Sequence, residues 1–156
     1  MKKMSNENGF TLIELLAVIV ILSVLVLISV PATTSYLNST RASATAINAK
    51  EAIDAVRQDV ILNGFNAGAG GTKEYNLTEV NKLLQKQLVS SPYGGSFSDS
   101  SVKVRVTQNS NMVYTYEMCM IDSLGNGFST YTLENDITAS TVKSPASVTD
   151  MSDCRY

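Results

Sequence analysis

The stretch that decides the fold is residues 9–32, which read GFTLIELLAVIVILSVLVLISVPA. From Phe10 onward the run holds about 21 predominantly apolar residues, and as an α-helix it would be about 31 Å long, enough to cross the hydrocarbon core of a bilayer. It contains one acidic side chain, Glu14, one turn inside its polar end.

Glu14 is costly in this position. On insertion scales a charged side chain in hydrocarbon costs roughly 2.5–3.5 kcal/mol, whereas each large aliphatic residue contributes only about 0.3–0.6 kcal/mol. The presence of the Glu14 carboxylate despite this cost therefore indicates that it has a function. The simplest use is pairing with a positive group supplied by another molecule.

The charges that flank the apolar run predict its orientation. Lys2 and Lys3 precede the run, and the next positive residue is Arg41. By the positive-inside tendency, the amino terminus stays in the cytoplasm and the chain after Pro31 is exported. From these residues alone two interpretations stay open. One is a secretory signal peptide or plain signal anchor, for which residues 30–32 resemble a cleavage site; the other is a helix that continues into the exported part.

The start of the apolar run also resembles a known processing motif. Residues 9–16, GFTLIELL, together with the short charged leader before them and Pro31 after them, are similar to the amino terminus of type IV pilins and their pseudopilin relatives. The resemblance implies that a membrane-embedded prepilin peptidase cleaves between Gly9 and Phe10 and then N-methylates Phe10. It also implies that Glu14 pairs with the positive amino terminus of Phe10 in a neighbouring, identical subunit.

The same resemblance divides the chain into three parts. Residues 1–9 are expected to be a leader peptide, residues 10–32 a transmembrane and assembly segment, and residues 33–156 a periplasmic or extracellular globular domain. Pro31 predicts a helix kink, because proline lacks an N–H and its ring clashes with the preceding turn.

The rest of the chain predicts an α+β fold. Six residues at 4-3-4-3-4 spacing predict one buried face of a helix that ends at Asn63-Gly64: Ala42, Ala46, Ala49, Ile53, Val56 and Val60. Residues 76–79 predict a capping box that begins a second helix, whose apolar face would be formed by Leu77, Val80, Leu83, Leu84 and Leu88. Strands are predicted over 102–106, 111–121 and 128–133. The expected architecture is a long N-terminal helix, transmembrane in its first half and amphipathic in its second, packed on an antiparallel sheet.

The composition argues against catalysis. The chain contains no His, which is the usual general base and the commonest zinc ligand, so we expect no enzyme activity, no cofactor and no metal. Residues 122–126 could be argued as a calcium loop, but their few carboxylates favour a plain turn. With 12 Lys and Arg against 14 Asp and Glu, nucleic-acid binding driven by bulk charge is not expected.

The two cysteines, Cys119 and Cys154, lie far apart in sequence. In an exported domain such a pair predicts a disulfide rather than a metal site or a redox pair. The bond would pin the segment after Asp136, which is rich in Ser, Thr and Ala and expected to be irregular, back to the sheet.

Together these features predict a structural subunit of a type IV pilus filament that serves adhesion, twitching motility or DNA uptake. The expected partners are prepilin peptidase, identical subunits in a helical filament, the pilus assembly machinery and, before assembly, the membrane. The precursor is expected as a single-pass protein of the inner (cytoplasmic) membrane, and the filament on the cell surface. Two alternatives stay open: a minor pilin or pseudopilin of a type II secretion or competence system, and a signal-anchored surface binding domain.

Overall fold

The structure is a computed structural model that describes residues 9–67, 71–143 and 154. The described residues form, in chain order, α1 Leu12–Asn63, β1 Thr72–Asn76, α2 Leu77–Leu83, β2 Val102–Gln108, β3 Tyr114–Ile121, β4 Gly127–Leu133 and a short 3₁₀ helix, Glu134–Asp136. The long N-terminal helix packs on a four-stranded antiparallel sheet, which confirms the predicted α+β class. The chain divides into two compact units between Asn38 and Ser39.

The first unit contains the beginning of α1. Every residue from Gly9 to Asn38 is exposed, and the helix is long and apolar enough to cross a membrane. Pro31 lies inside α1; the kink expected there stays a prediction.

In the second unit the remainder of α1 packs through one face. All six residues of the predicted stripe are buried, and so are Thr45 and Ala52. The strands follow the order β1-β2-β3-β4, and every neighbouring pair is antiparallel. Alternate residues of β2 are buried. From Ala46 onward the stripe shares one apolar core with residues of the sheet and of the segment after it: Val102, Val104, Val106, Met118, Met120, Phe128 and Ile137.

Strand β1 is missing from the sequence prediction. Its residues read TKEYN, and Tyr75 is the one buried residue among them, so the segment has no apolar alternation that would predict a strand. It forms because β2 offers an edge for pairing, with Tyr75 opposite Val104 in the antiparallel ladder. The contacts that define β1 are therefore tertiary.

Helix α2 begins as predicted but ends early. The capping box is confirmed: Asn76 Oδ1 accepts from the Glu79 N–H and Glu79 Oε2 accepts from the Asn76 N–H, both at 2.9 Å. The helix ends at Leu83, so Leu88 reaches the core from a loop instead of from the helix. The Asn81 side chain holds this loop, because it accepts from the Leu88 N–H at 2.7 Å and donates to the Leu88 carbonyl at 3.1 Å.

Strand β3 begins three residues later than the sequence predicts, at Tyr114. The cause is the side chain of Asn109, whose Oδ1 accepts from the N–H groups of Asn111 and Val113, each at 2.9 Å. These hydrogen bonds close a loop at the end of the β2–β3 hairpin, and Met112 in this loop has a positive φ of 60°. An asparagine side chain thus competes with the strand ladder for backbone donors.

A polar network crosses the sheet on strands β1, β2 and β4. Glu74 Oε1 accepts hydrogen bonds from Arg105 Nε at 3.1 Å, from Arg105 Nη2 at 2.9 Å and from the Tyr131 hydroxyl at 2.7 Å. The Arg105 guanidinium also stacks on the Tyr131 ring, 3.4 Å from its centroid. Burial raises the pKa of the Glu74 carboxyl, but the hydrogen bonds from Tyr131 and Arg105 outweigh burial and hold the pKa below its ordinary value of 4.5.

The lowered pKa of Glu74 predicts an acid-sensitive share of the stability. Because the folded state favours the ionised carboxylate, this share is fully present above about pH 4.5 and is lost as the pH falls through the folded-state pKa. Glu74→Gln should lower the free energy of unfolding by about 1–3 kcal/mol at neutral pH, and by less in acid. Denaturant titrations at several pH values measure the difference, with the exposed Asp136→Asn as control. An equal loss at neutral and acid pH would contradict this role for Glu74.

The structure contains the disulfide between Cys119 and Cys154. Cys119 lies on β3, and with Ile121 and Cys154 it forms a small buried cluster separate from the main core. Ile137 is fully buried although it lies in the segment expected to be an irregular surface region, and Lys143 pairs with Gly127 at the start of β4. Residues 144–153 of that segment lie outside the described part of the chain.

Removing the disulfide should destabilise the second unit. The bond closes a loop with a sequence separation of 35 residues, and loops of this size stabilise by about 2–4 kcal/mol. The variant with both Cys119→Ala and Cys154→Ala should therefore unfold at lower denaturant concentration. Unfolding of the full chain in detergent is monitored by the circular dichroism of its tyrosines. An unchanged midpoint would show that the bond does not contribute to stability.

Candidate functional site

The predicted cleavage site lies just before α1. Gly9, Phe10 and Thr11 precede the first helical residue, Leu12, and all of them are exposed. Apart from its chain neighbours, no atom of the described residues lies within 4 Å of a Cβ atom built on Gly9, and the φ of Gly9 is not in the positive range. The described part of the fold therefore gives no reason for glycine at this position.

Thr11 and Glu14 form a capping box at the start of α1. Glu14 Oε2 accepts hydrogen bonds from the Thr11 N–H and the Thr11 hydroxyl, both at 2.8 Å, and Thr11 Oγ1 accepts from the Glu14 N–H at 3.3 Å. This reciprocal pattern satisfies backbone donors that a helix start leaves free. Glu14 therefore stabilises its own helix before any partner is present.

The capping box leaves Glu14 able to bind a cation as well. An ionised carboxylate has about four acceptor directions, and Thr11 uses two of them, both at Oε2. The backbone nitrogen of Phe10 lies one residue before the capped N–H. A positive group near this end of α1 could therefore bind the remaining acceptor directions of the Glu14 carboxylate while the hydrogen bonds to Thr11 stay in place.

The surface of α1 around and beyond this site is apolar on all sides. Large exposed side chains cover the whole circumference of the helix in the first unit: Leu12, Ile13, Leu15, Leu16, Val18, Ile19, Val20, Ile21, Leu22, Val24, Leu25, Val26, Leu27, Ile28 and Val30. A helix that is apolar all round is normally buried in lipid or among other helices. The described chain offers it no cover, so the cover has to be lipid or another molecule.

Pro31 is flanked by hydroxyl side chains that bond within the helix. The Thr33 hydroxyl donates to the Ser29 carbonyl at 2.8 Å, and the Thr34 hydroxyl donates to the Val30 carbonyl at 3.0 Å. Since proline removes one backbone donor, these side chains supply extra hydrogen bonds to carbonyls of the turn around it.

Residues 122–126 form the turn that was expected there. The buried Asp122 carboxylate accepts from the Ser91 hydroxyl, from the N–H groups of Leu124 and Asn126, and from the Asn126 side chain. Protein donors therefore occupy the oxygens that a calcium ion would need. Within residues 9–67, 71–143 and 154, no three His, Cys, Asp or Glu side chains lie close enough to hold a metal ion.

Thr11 is a site residue that the resemblance at residues 9–16 does not single out, whereas it does single out Gly9, Phe10 and Glu14. The pattern Thr-x-x-Glu at residues 11–14 has the capping-box form that predicted α2, so the signal was present in the sequence. The Glu14 carboxylate therefore has a role within its own helix besides the one expected toward another molecule.

Comparison with known proteins agrees with this location of the site. Residues 4–30 match the family described as the prokaryotic N-terminal methylation motif, which is the processing motif of type IV prepilins. The comparison with curated proteins gave no match, and the comparison with solved structures gave none either. The amino terminus thus carries the prepilin-type motif, which supports a precursor of the type IV pilin or pseudopilin type.

Thr11→Val should loosen the start of α1 while keeping the size of the side chain. The variant loses the hydroxyl that caps the Glu14 N–H, which costs about 1 kcal/mol at a helix N-terminus. Hydrogen exchange of the Glu14 and Leu15 amides, which bond to Thr11, should become faster by about fivefold in detergent micelles, and Thr11→Ser should restore protection. Unchanged exchange in the valine variant would contradict the capping role.

Proposed function

We propose that this chain is a structural subunit of a type IV pilus filament. In this proposal a prepilin peptidase cleaves between Gly9 and Phe10 and methylates the new amino terminus, after which the subunit polymerises through α1. The observation that carries the proposal is the single carboxylate of Glu14 at the start of α1, whose part in the first unit is apolar all round, within a prepilin-type motif.

The local geometry at residues 9–10 supports processing by a peptidase. Both residues are exposed and precede the helix, so a protease can bind the segment without unwinding α1. Among the described residues, none but the chain neighbours of Gly9 comes near its side-chain position. We propose that the narrow site of the peptidase requires a residue without a side chain there.

The charge of Glu14 supports assembly between identical subunits. Cleavage would create a positive amino group on Phe10, and in the proposed filament the Glu14 carboxylate of one subunit binds that group in its neighbour. Opposite charges attract more strongly in a low-dielectric helix bundle than in water, although the cost of burying them offsets part of the gain. The pair sets the axial register, because a helix shifted along its neighbour would leave two charges unpaired.

The localisation follows from the same features. The precursor would be a single-pass protein of the inner membrane with Lys2 and Lys3 on the cytoplasmic side. The second unit would be exported, which agrees with its disulfide. After assembly the first unit would exchange lipid for the helices of neighbouring subunits, and the filament would extend from the cell surface. In this proposal the chain has a structural role and no catalytic one.

Glu14→Gln tests the proposed assembly step. The variant keeps the size of the side chain but removes the charge, so filaments sheared from cells should decrease at least about tenfold if the pair contributes more than roughly 1.4 kcal/mol. Cleavage at Gly9–Phe10 should continue, as measured by the mass of the membrane-bound subunit. Glu51→Gln is the matched control, because Glu51 is also an exposed glutamate of α1.

Two results would separate the parts of this proposal. A normal filament yield from the Glu14→Gln variant would contradict the pairing role of Glu14. A wild-type chain that forms no filament at all, with its leader still attached, would contradict the filament function and favour a signal-anchored binding domain.

A further inference from the structure

The membrane-compatible part of α1 extends beyond the boundary that the sequence predicts. The apolar run ends at Ala32 and is followed by Thr33, Thr34 and Ser35. In the structure the Thr33 and Thr34 hydroxyls donate to the Ser29 and Val30 carbonyls. Polar groups are costly in hydrocarbon chiefly when their hydrogen bonds are unmade. Because these two hydroxyls are bonded inside the helix, this turn can lie in or next to lipid.

Tyr36 comes directly after this turn and has the properties of an interfacial residue. Its side chain is 71% exposed on a continuous helix. A tyrosine carries an apolar ring with a polar hydroxyl at its end, and such side chains are enriched where the hydrocarbon meets the headgroups.

The distance from Glu14 to Tyr36 matches the thickness of a bilayer core. The two residues are 22 positions apart, which corresponds to about 33 Å of helix and to about 31 Å across the membrane at an ordinary tilt of roughly 20°. The hydrocarbon core is about 30 Å thick. A span with the carboxylate at one edge and the tyrosine at the other therefore fits.

A span formed by residues 10–32 has the same length but a different register, meaning that other residues lie at the two edges of the hydrocarbon core. That register places Phe10 at the edge and Glu14 one turn inside the hydrocarbon. In the unassembled subunit it buries the carboxylate, and it also holds the new amino group of Phe10 at the edge of the lipid core. Moving the helix by one turn leaves both charged groups in the hydrated headgroup layer. The exchange removes a few apolar side chains from the core at one end and brings in the hydroxyl residues after Ala32 at the other, two of which are hydrogen-bonded within the helix. One buried charge costs as much as several apolar side chains contribute.

We infer that α1 crosses the bilayer, before assembly, with Glu14 at the cytoplasmic edge of the hydrocarbon and with Tyr36 in the headgroup layer of the opposite leaflet. The exposed Tyr36 is thus placed at the lipid–water interface. This inference rests on the proposed membrane-inserted precursor. It implies that Glu14 stays hydrated until a neighbouring subunit supplies a positive group, so that the carboxylate enters a low-dielectric bundle only as one half of a pair.

The absence of tryptophan from the sequence allows a direct test. The middle of the span is Leu25 in the inferred register and Ile21 in the register of residues 10–32, and both side chains are exposed. The variants Leu25→Trp and Ile21→Trp each give the full chain a single tryptophan, which can be excited apart from the tyrosines, while Tyr36 stays intact. They are reconstituted in phosphatidylcholine vesicles whose acyl chains carry bromine either near the headgroup or near the methyl end.

We expect deep bromines to quench Trp at position 25 more strongly than Trp at position 21, because the two differ in depth by about 6 Å. When Tyr36→Ser is added to both variants, this difference should shrink, since the helix then loses its anchor in the outer headgroup layer. Stronger deep quenching at position 21, or a difference that Tyr36→Ser does not change, would overturn the inference and leave the filament proposal intact. No quenching at either position would show that the chain does not insert, and would contradict both proposals.

Discussion

The structure depends on one constraint, which is that α1 has an apolar surface on every side at its beginning and on one side only further along. In the second unit the buried stripe from Ala46 to Val60 is covered by the sheet of the same chain. In the first unit every described residue is exposed. Since apolar surface of this extent is not left in water, the first unit has to meet lipid or other helices. Glu14 is the acidic residue among the described residues of the first unit. Because its charge needs a positive group close by, it limits the axial positions that a neighbouring helix can take.

The features that the sequence predicts correctly are those with a local, periodic signal. The stripe of α1 is visible because its spacing follows the helix repeat, and β2 is visible because Val102, Val104 and Val106 alternate with polar residues. The start of α2 was predicted from a four-residue capping pattern. Strand β1 has no such signal, because its place depends on an edge of β2 that lies about 30 residues later in the chain.

The same distinction applies to the candidate site and to the sheet. The processing motif is local, so Gly9, Phe10 and Glu14 could be selected from the sequence, and the Thr11–Glu14 capping box was equally readable. The network around Glu74 cannot be predicted from a local pattern, since its partners Arg105 and Tyr131 are 31 and 57 residues away in sequence. The loop that brings Leu88 to the core depends on the Asn81 side chain, a contact that no periodicity predicts.

The central claim is that the chain is processed at the start of α1 and that α1 then serves as the assembly element. Mass spectrometry of the mature protein isolated from cells tests it most directly. The account predicts a chain that begins with N-methylated Phe10 and lacks residues 1–9. A chain that begins at Thr33 would indicate ordinary signal-peptide cleavage, and one that keeps Met1 would indicate a simple anchor; either result would contradict the account.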